Sequence, residues 1–145
     1  MLFDTITYIT GADHNYDLAG STLQTPTAGS TIMRITAIRA FLLPQNLVGS
    51  AIDAQTGPSS PAGSPISNLA VDIRVNGISQ GIFSFTGVVG SPIPALSSLM
   101  SAADSITGTL ASGDVSVAVG DIVEMVLNTV ASADAISVTI KTLAA

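Results

Sequence analysis

The sequence predicts an all-β chain, an antiparallel β-sandwich or jelly roll of seven or eight strands with at most one short helix. Three observations carry that expectation. Apolar residues alternate with polar ones at period two in several segments. Turn signals built on Gly, Asn and Asp separate those segments at short intervals. Helical spacing of apolar residues occurs in only one stretch, Pro94 to Asp104, where Leu96, Leu99, Met100 and Ala103 follow a proline suited to a first turn.

From the N-terminus, Phe3 to Thr10 is β-branched and reads as a strand, with Phe3, Thr5, Thr7 and Ile9 on one side. Residues 11–31 are polar and read as loop, with one short strand around Ser21 to Thr25. Ile32 to Leu43 forms a long strand in which Met33, Ile35, Ala37, Phe41 and Leu43 share a face and Arg39 interrupts it. The segment 44–68 is rich in Pro, Gly and Ser, including Gly57-Pro58-Ser59-Ser60-Pro61 and Gly63-Ser64-Pro65. Because each proline lacks a ladder donor, this segment reads as a long exposed loop, or a strand-edge excursion, rather than a domain linker.

Leu69 to Val75 gives the clearest strand: Leu69, Val71, Ile73 and Val75 share one face, and Asp72 and Arg74 the other. Asn76-Gly77 follows, a type I′ hairpin signal because both central residues need positive φ. Ile78 to Phe85 is the return strand, with Gly81 marking a bulge. A second hairpin is expected where Val115, Val117 and Val119 alternate before Gly120-Asp121, with Ile122 to Asn128 returning. Ile136 to Lys141 alternates again, so these three strands suggest a meander or part of a Greek key. No internal repeat is present, and the whole of 1–145 reads as a single β-sandwich domain.

Composition narrows the function. Apolar residues make up 47% of the 145, charged residues 10%, and the formal net charge is −6. Mean hydropathy is +0.59 and the pI is about 4.1. So apolar a chain is not intrinsically disordered. Four basic side chains make no footprint for nucleic acid. With no cysteine, disulfide scaffolds, thiolate metal sites and cysteine nucleophiles are excluded. Met1-Leu2-Phe3-Asp4 lacks a basic signal-peptide start, and the longest uncharged run, Val75 to Ala103, is broken by Gln80, Pro92 and Pro94. A soluble protein with no membrane partner is expected. Its scarcity of charge suits a homo-oligomer, because small uncharged residues pack between chains better than they keep a monomer dispersed.

Constellations for chemistry are sparse. His14 is the sole histidine, and a solvated loop position explains it better than a Ser–His–Asp triad. Asp13, Asn15 and Asp17 have the spacing of the first three ligands of a calcium loop. The sixth position is Leu18 and the twelfth Gln24, so an Asp/Asn turn competes with the metal reading. Glu124 is the one glutamate; pairing with Arg34, Arg39 or Arg74 is preferred to catalysis. Phosphate-binding glycine loops and aromatic sugar platforms are absent, and no cofactor is expected.

The run Asp114-Val115-Ser116-Val117-Ala118-Val119-Gly120-Asp121-Ile122-Val123 resembles the penultimate hairpin of phage and viral β-sandwich proteins. Leu69 to Phe85 is similar to their middle hairpin. With its Ser/Thr/Ala/Gly-rich, cysteine-free composition, the chain resembles tailed-phage capsid decoration (cement) and head-fibre proteins. That resemblance implies a non-enzymatic virion protein, a trimer seated on the outer capsid surface and bracing the major capsid protein. Within it, residues 1–10 would be an arm adding a strand to a neighbour, with Phe3, Ile6 and Tyr8 as interface candidates. Pro58, Pro61 and Pro65 of the 44–68 loop would face a partner. The competing expectation is a receptor-binding or adhesin module of a tail or head fibre recognising a host glycan or protein. An esterase-like or glycan-cleaving enzyme using His14 ranks last.

Overall fold

The computed structural model describes residues 17–22, 27–55, 69–85, 95–99, 105–130 and 135–145. Its strands are β1 (Asp17–Thr22), β2 (Thr31–Thr36), β3 (Phe41–Leu43), β4 (Ala51–Gln55), β5 (Leu69–Val75) and β6 (Ile78–Phe85). They continue as β7 (Ala95–Leu99), β8 (Ser105–Ile106), β9 (Val115–Val117), β10 (Ile122–Val130), β11 (Ala135–Lys141) and β12 (Leu143–Ala144). A single helical turn, α1 (Thr109–Ser112), precedes β9. The fold is all-β with minimal helix. The strand pairs are antiparallel and form a five-stranded sheet (β2-β10-β5-β6-β8), a four-stranded sheet (β1-β11-β4-β7) and a three-stranded sheet (β12-β3-β9).

The five-stranded sheet is organised by β10 and β5. Val123, Met125 and Leu127 of β10 and Leu69, Val71 and Ile73 of β5 are at most 1% exposed. They join Ile52, Ile136, Val138 and Ile140 from the four-stranded sheet and Phe41, Leu43 and Val117 from the small sheet in one hydrophobic cluster. Each such side chain contributes about 1.5–3 kcal/mol on leaving water. The β5–β6 hairpin has the expected turn, with Asn76 at φ 52° and Gly77 at φ 81°. Register shifts so that Ile73 faces Gly81 and Arg74 faces Ser79, which leaves Gln80 as the extra residue of the expected bulge.

The two larger sheets approach each other at β1 and β2. A Cβ on Gly20 would lie 2.9 Å from Met33 Cβ and 3.0 Å from the Ile32 carbonyl oxygen. Only glycine permits that contact without displacing β2.

Five expectations are corrected. The described residues hold twelve strands rather than seven or eight, divided among three sheets. The long strand over 32–43 is two strands in different sheets, separated at residues 37–40 where Ile38 is 83% exposed and Arg39 is exposed. Arg39 fell on the apolar face, and the chain turns there instead of burying it. The 44–68 segment is not loop throughout: Gln45–Leu47 forms a 3-10 turn and Ala51–Gln55 is β4, between β11 and β7. Leu47 and Ser50 are fully buried, and Leu47 holds its left-handed φ of 49° because that burial offsets about 1–2 kcal/mol of backbone strain.

Pro94 to Asp104 is not a helix where it is described. Ala95–Leu99 is β7, paired with β4, since Ser97 and Ser98 favour helix weakly and the outer side of β4 supplies ladder partners. The meander near the C-terminus is also absent. β9 pairs with β3, β10 with β2 and β5, and β11 with β1 and β4, so three successive strands enter three sheets. Both edges of β10 are already taken, which turns β9 away from it.

Candidate functional site

Most residues singled out from the sequence lie outside the described residues: Phe3, Ile6, Tyr8, Asp13, His14, Asn15, Pro58, Pro61 and Pro65. Asp17 opens β1, with its backbone opposite Lys141 of β11. Among the described residues no group of three or more His, Asp or Glu converges in a way that could hold a metal ion. None of their helices is long and apolar enough to cross a membrane.

Glu124 stands in a cross-strand row. Its backbone partner on β2 is Arg34, on β5 it is Arg74, and beyond Arg74 lies Ser79 of β6. Two of the three expected arginines thus flank it, while Arg39 sits on the exposed turn after β2. The ion pair formed is Arg74 Nε to Asp72 Oδ2 at 2.7 Å, and Ser79 Oγ donates to Asp72 Oδ1 at 2.5 Å. Asp72 is only 4% exposed, so these two donors replace the water it loses.

A second cluster was not evident from sequence. The ends of β2, β5 and the starts of β6 and β10 lie together, because Thr36 pairs with Ile122, Val123 with Val75, and Val75 with Ile78. Three turns therefore emerge side by side: 37–40, 76–77 and 118–121. Asn76 Nδ2 donates to Asp121 Oδ1 at 2.9 Å, and the Ile122 N–H donates to Asn76 Oδ1 at 2.9 Å. The Ala118 N–H donates to Asp121 Oδ2 at 2.8 Å. The third turn is tied by backbone bonds of 2.8 Å, Ala37 N–H to the Asp121 carbonyl and Gly120 N–H to the Ala37 carbonyl. The Asn76 side chain, followed by the Ala118 N–H, holds the Asp121 carboxyl below its ordinary value of 3.8.

This polar knot presents apolar side chains. Ile38 is 83% exposed, and Ile78 and Val119 are 67% exposed. Alternation had grouped Val119 with buried Val115 and Val117. Each exposed residue lies within two positions of Arg39, Asn76-Gly77 or Gly120-Asp121, and that proximity to a turn was the available signal.

A third feature is the face of the four-stranded sheet turned away from the core. Leu18, Ile52, Ile136, Val138 and Ile140 point inward, at 8% exposure or less. The alternate positions include Ala19, Ser21, Ser137 and Lys141, which are exposed, and Ala51 and Thr139, which are half-buried; register adds Asp53 opposite Ser137 and Asp17 opposite Lys141. Register sets Ala19 opposite Thr139 and Ser21 opposite Ser137.

No protein-family model matches the sequence, and no curated protein matches it. Among solved structures, the crystal structure of Podospora anserina GH26-CBM35 beta-(1,4)-mannanase is similar over 87% of this chain, at 11% identity and a TM-score of 0.34. The chain spans 27% of that protein's length.

Proposed function

We propose that this chain is a non-enzymatic virion structural protein, a capsid decoration (cement) protein that binds and stabilises the outer capsid lattice as a homo-oligomer, most simply a trimer. In this reading the sheets form one β-sandwich or jelly-roll domain, which the shared hydrophobic cluster supports. The observation that carries the proposal is the row of small uncharged residues Ala19, Ser21, Ser137, Thr139 and Ala51 on the outer face of the four-stranded sheet, where register adds one acid, Asp53, opposite Ser137. Small uncharged side chains can be covered without the desolvation cost that charges impose, so on this face that cost is confined to Asp53, opposite Ser137, and to the Asp17 and Lys141 end. Each apolar Å² removed from water then contributes about 25 cal/mol, and repetition by symmetry turns modest contacts into strong attachment.

Light scattering coupled to size-exclusion chromatography, followed by sedimentation with capsids lacking the protein, tests the proposal. A stable oligomer that co-sediments with capsids is the expected result, and Ser137→Arg should abolish co-sedimentation while leaving the melt unchanged. A monomer at micromolar concentration overturns it. Binding to whole host cells without binding to capsids replaces it with the adhesin reading.

A further inference from the structure

The side chain of Asn76 occupies a socket that only a carboxamide satisfies. Its Nδ2 must donate, because the facing atom is a carboxylate oxygen of Asp121 at 2.9 Å. Its Oδ1 must accept, because the facing group is the Ile122 N–H at 2.9 Å. Replacing the amide by a carboxylate removes the donor and sets two negative groups in contact. The next residue is Gly77, exposed, with open space where a Cβ would stand. A glycine after asparagine leaves its backbone nitrogen unshielded, the arrangement in which that nitrogen attacks the preceding side-chain carbonyl most readily.

We propose that Asn76 is a site of spontaneous hydrolytic deamidation, held unreactive while Asp121 and Ile122 clamp its carboxamide, and that its conversion unties the 76–77 turn, which carries Ile78, from the 118–121 turn, which carries Val119. In the reaction the Gly77 nitrogen, having lost its proton, bonds to Asn76 Cγ. The Cγ–Nδ2 bond breaks and ammonia leaves with that proton, giving a cyclic imide. Water then opens either imide carbonyl, yielding aspartate or an isoaspartyl linkage; the net change is amide plus water to carboxylate plus ammonium. The folded turn opposes the first step, since both amide atoms are hydrogen-bonded toward β10 and Cγ cannot swing onto the Gly77 nitrogen. The product cannot re-enter the socket. An aspartate repels Asp121, and an isoaspartyl bond lengthens a two-residue turn whose register depends on its length. This inference stands independently of the capsid proposal.

Two measurements test it. In the first, the full chain is incubated in mildly alkaline buffer, folded and in urea, beside Asp121→Ala, and peptide mapping by mass spectrometry follows Asn76. Conversion should be fastest in urea, intermediate in Asp121→Ala and about tenfold slower in the folded protein than in urea, corresponding to ~1.4 kcal/mol of local opening. Equal rates in folded and unfolded chain, or no acceleration in Asp121→Ala, overturn the proposal. In the second, Asn76→Asp imitates the product and Asn76→Asp/Asp121→Asn exchanges the pair. The exchanged pair can accept from Ile122, donate across the pair and accept from Ala118, as the native one does. The single variant should melt about 4 °C lower than the native protein, and the double variant should recover at least half of that. An unchanged melt for Asn76→Asp, or a double variant no better than the single, also overturns it.

Discussion

On the five-stranded sheet, the face away from the core carries Arg34, Glu124 and Arg74 in one row, with Asp72 buried beside them under Arg74 and Ser79. On the four-stranded sheet, the corresponding face carries Ala19, Ser21, Ser137, Thr139 and Ala51, with Asp53 set opposite Ser137 and Asp17 opposite Lys141 at one end. Both sheets bury Val, Ile and Leu equally well on their inner side, so the core does not require this difference. The basic residues of the chain are unevenly placed. Three of its four basic residues, Arg34, Arg39 and Arg74, belong to the five-stranded sheet or the turn that leaves it. One outer face carries a contiguous row of charges, whereas the other sets small uncharged residues around the separate charges of Asp53, Asp17 and Lys141.

The largest effect should come from the junction that both faces depend on. Gly20→Val forces a side chain into Met33 and the Ile32 carbonyl, and should destabilise by about 3 kcal/mol in urea unfolding. A neutral result would mean that the sheets are not in contact at β1 and β2. Next, Arg74→Met leaves the buried Asp72 carboxylate with Ser79 as its remaining donor, for a loss of about 1–3 kcal/mol. Ser79→Ala should cost about 1 kcal/mol by the same measurement. If both are silent, the charged row is ornamental to stability and the contrast between the faces weakens.

Acid should loosen the turn end, where a carboxylate ties two turns together, before it loosens the core of the four-stranded sheet. Hydrogen bonds from Asn76 and Ala118 lower the Asp121 carboxyl in the folded state. Its contribution is therefore complete above the unfolded value near 3.8 and is lost as pH falls from there through the lower folded value. Amide exchange at Ala118 and Ile122 should accelerate relative to Val138 over that interval, and Asp121→Asn should flatten the pH dependence. The smallest effect belongs to Ser137→Arg, within about 0.5 kcal/mol of the native protein in urea. A large loss there would show that the exposed face is already part of the folding unit.

Several elements were legible because their cause is local. Asn76-Gly77 demands positive φ at both residues, and the structure supplies it. The alternation of Leu69, Val71, Ile73 and Val75 fixes which side of β5 is buried, whatever strand lies beside it. Arg39 marked the point where the apolar face fails, although its consequence was a change of sheet rather than a blemish in one strand. The Leu/Met spacing in 94–104 misled for the same reason that it was visible: period and strand pairing compete, and β4 offered ladder partners that no window of sequence reveals.

By itself the sequence determined the all-β class, the faces of its strands and the chemistry of its tight turn, because these follow from φ/ψ sterics and the two-residue period. The tertiary structure decided which strands share a sheet, sending β9, β10 and β11 to three different ones. It also brought Asn76 to Asp121, 45 residues away, and set Arg34, Glu124 and Arg74 in one row. Pairing is a choice among edges with similar hydrogen-bonding power, and burial of the whole core selects among them. Contacts across such distances therefore exist only once every sheet is in place.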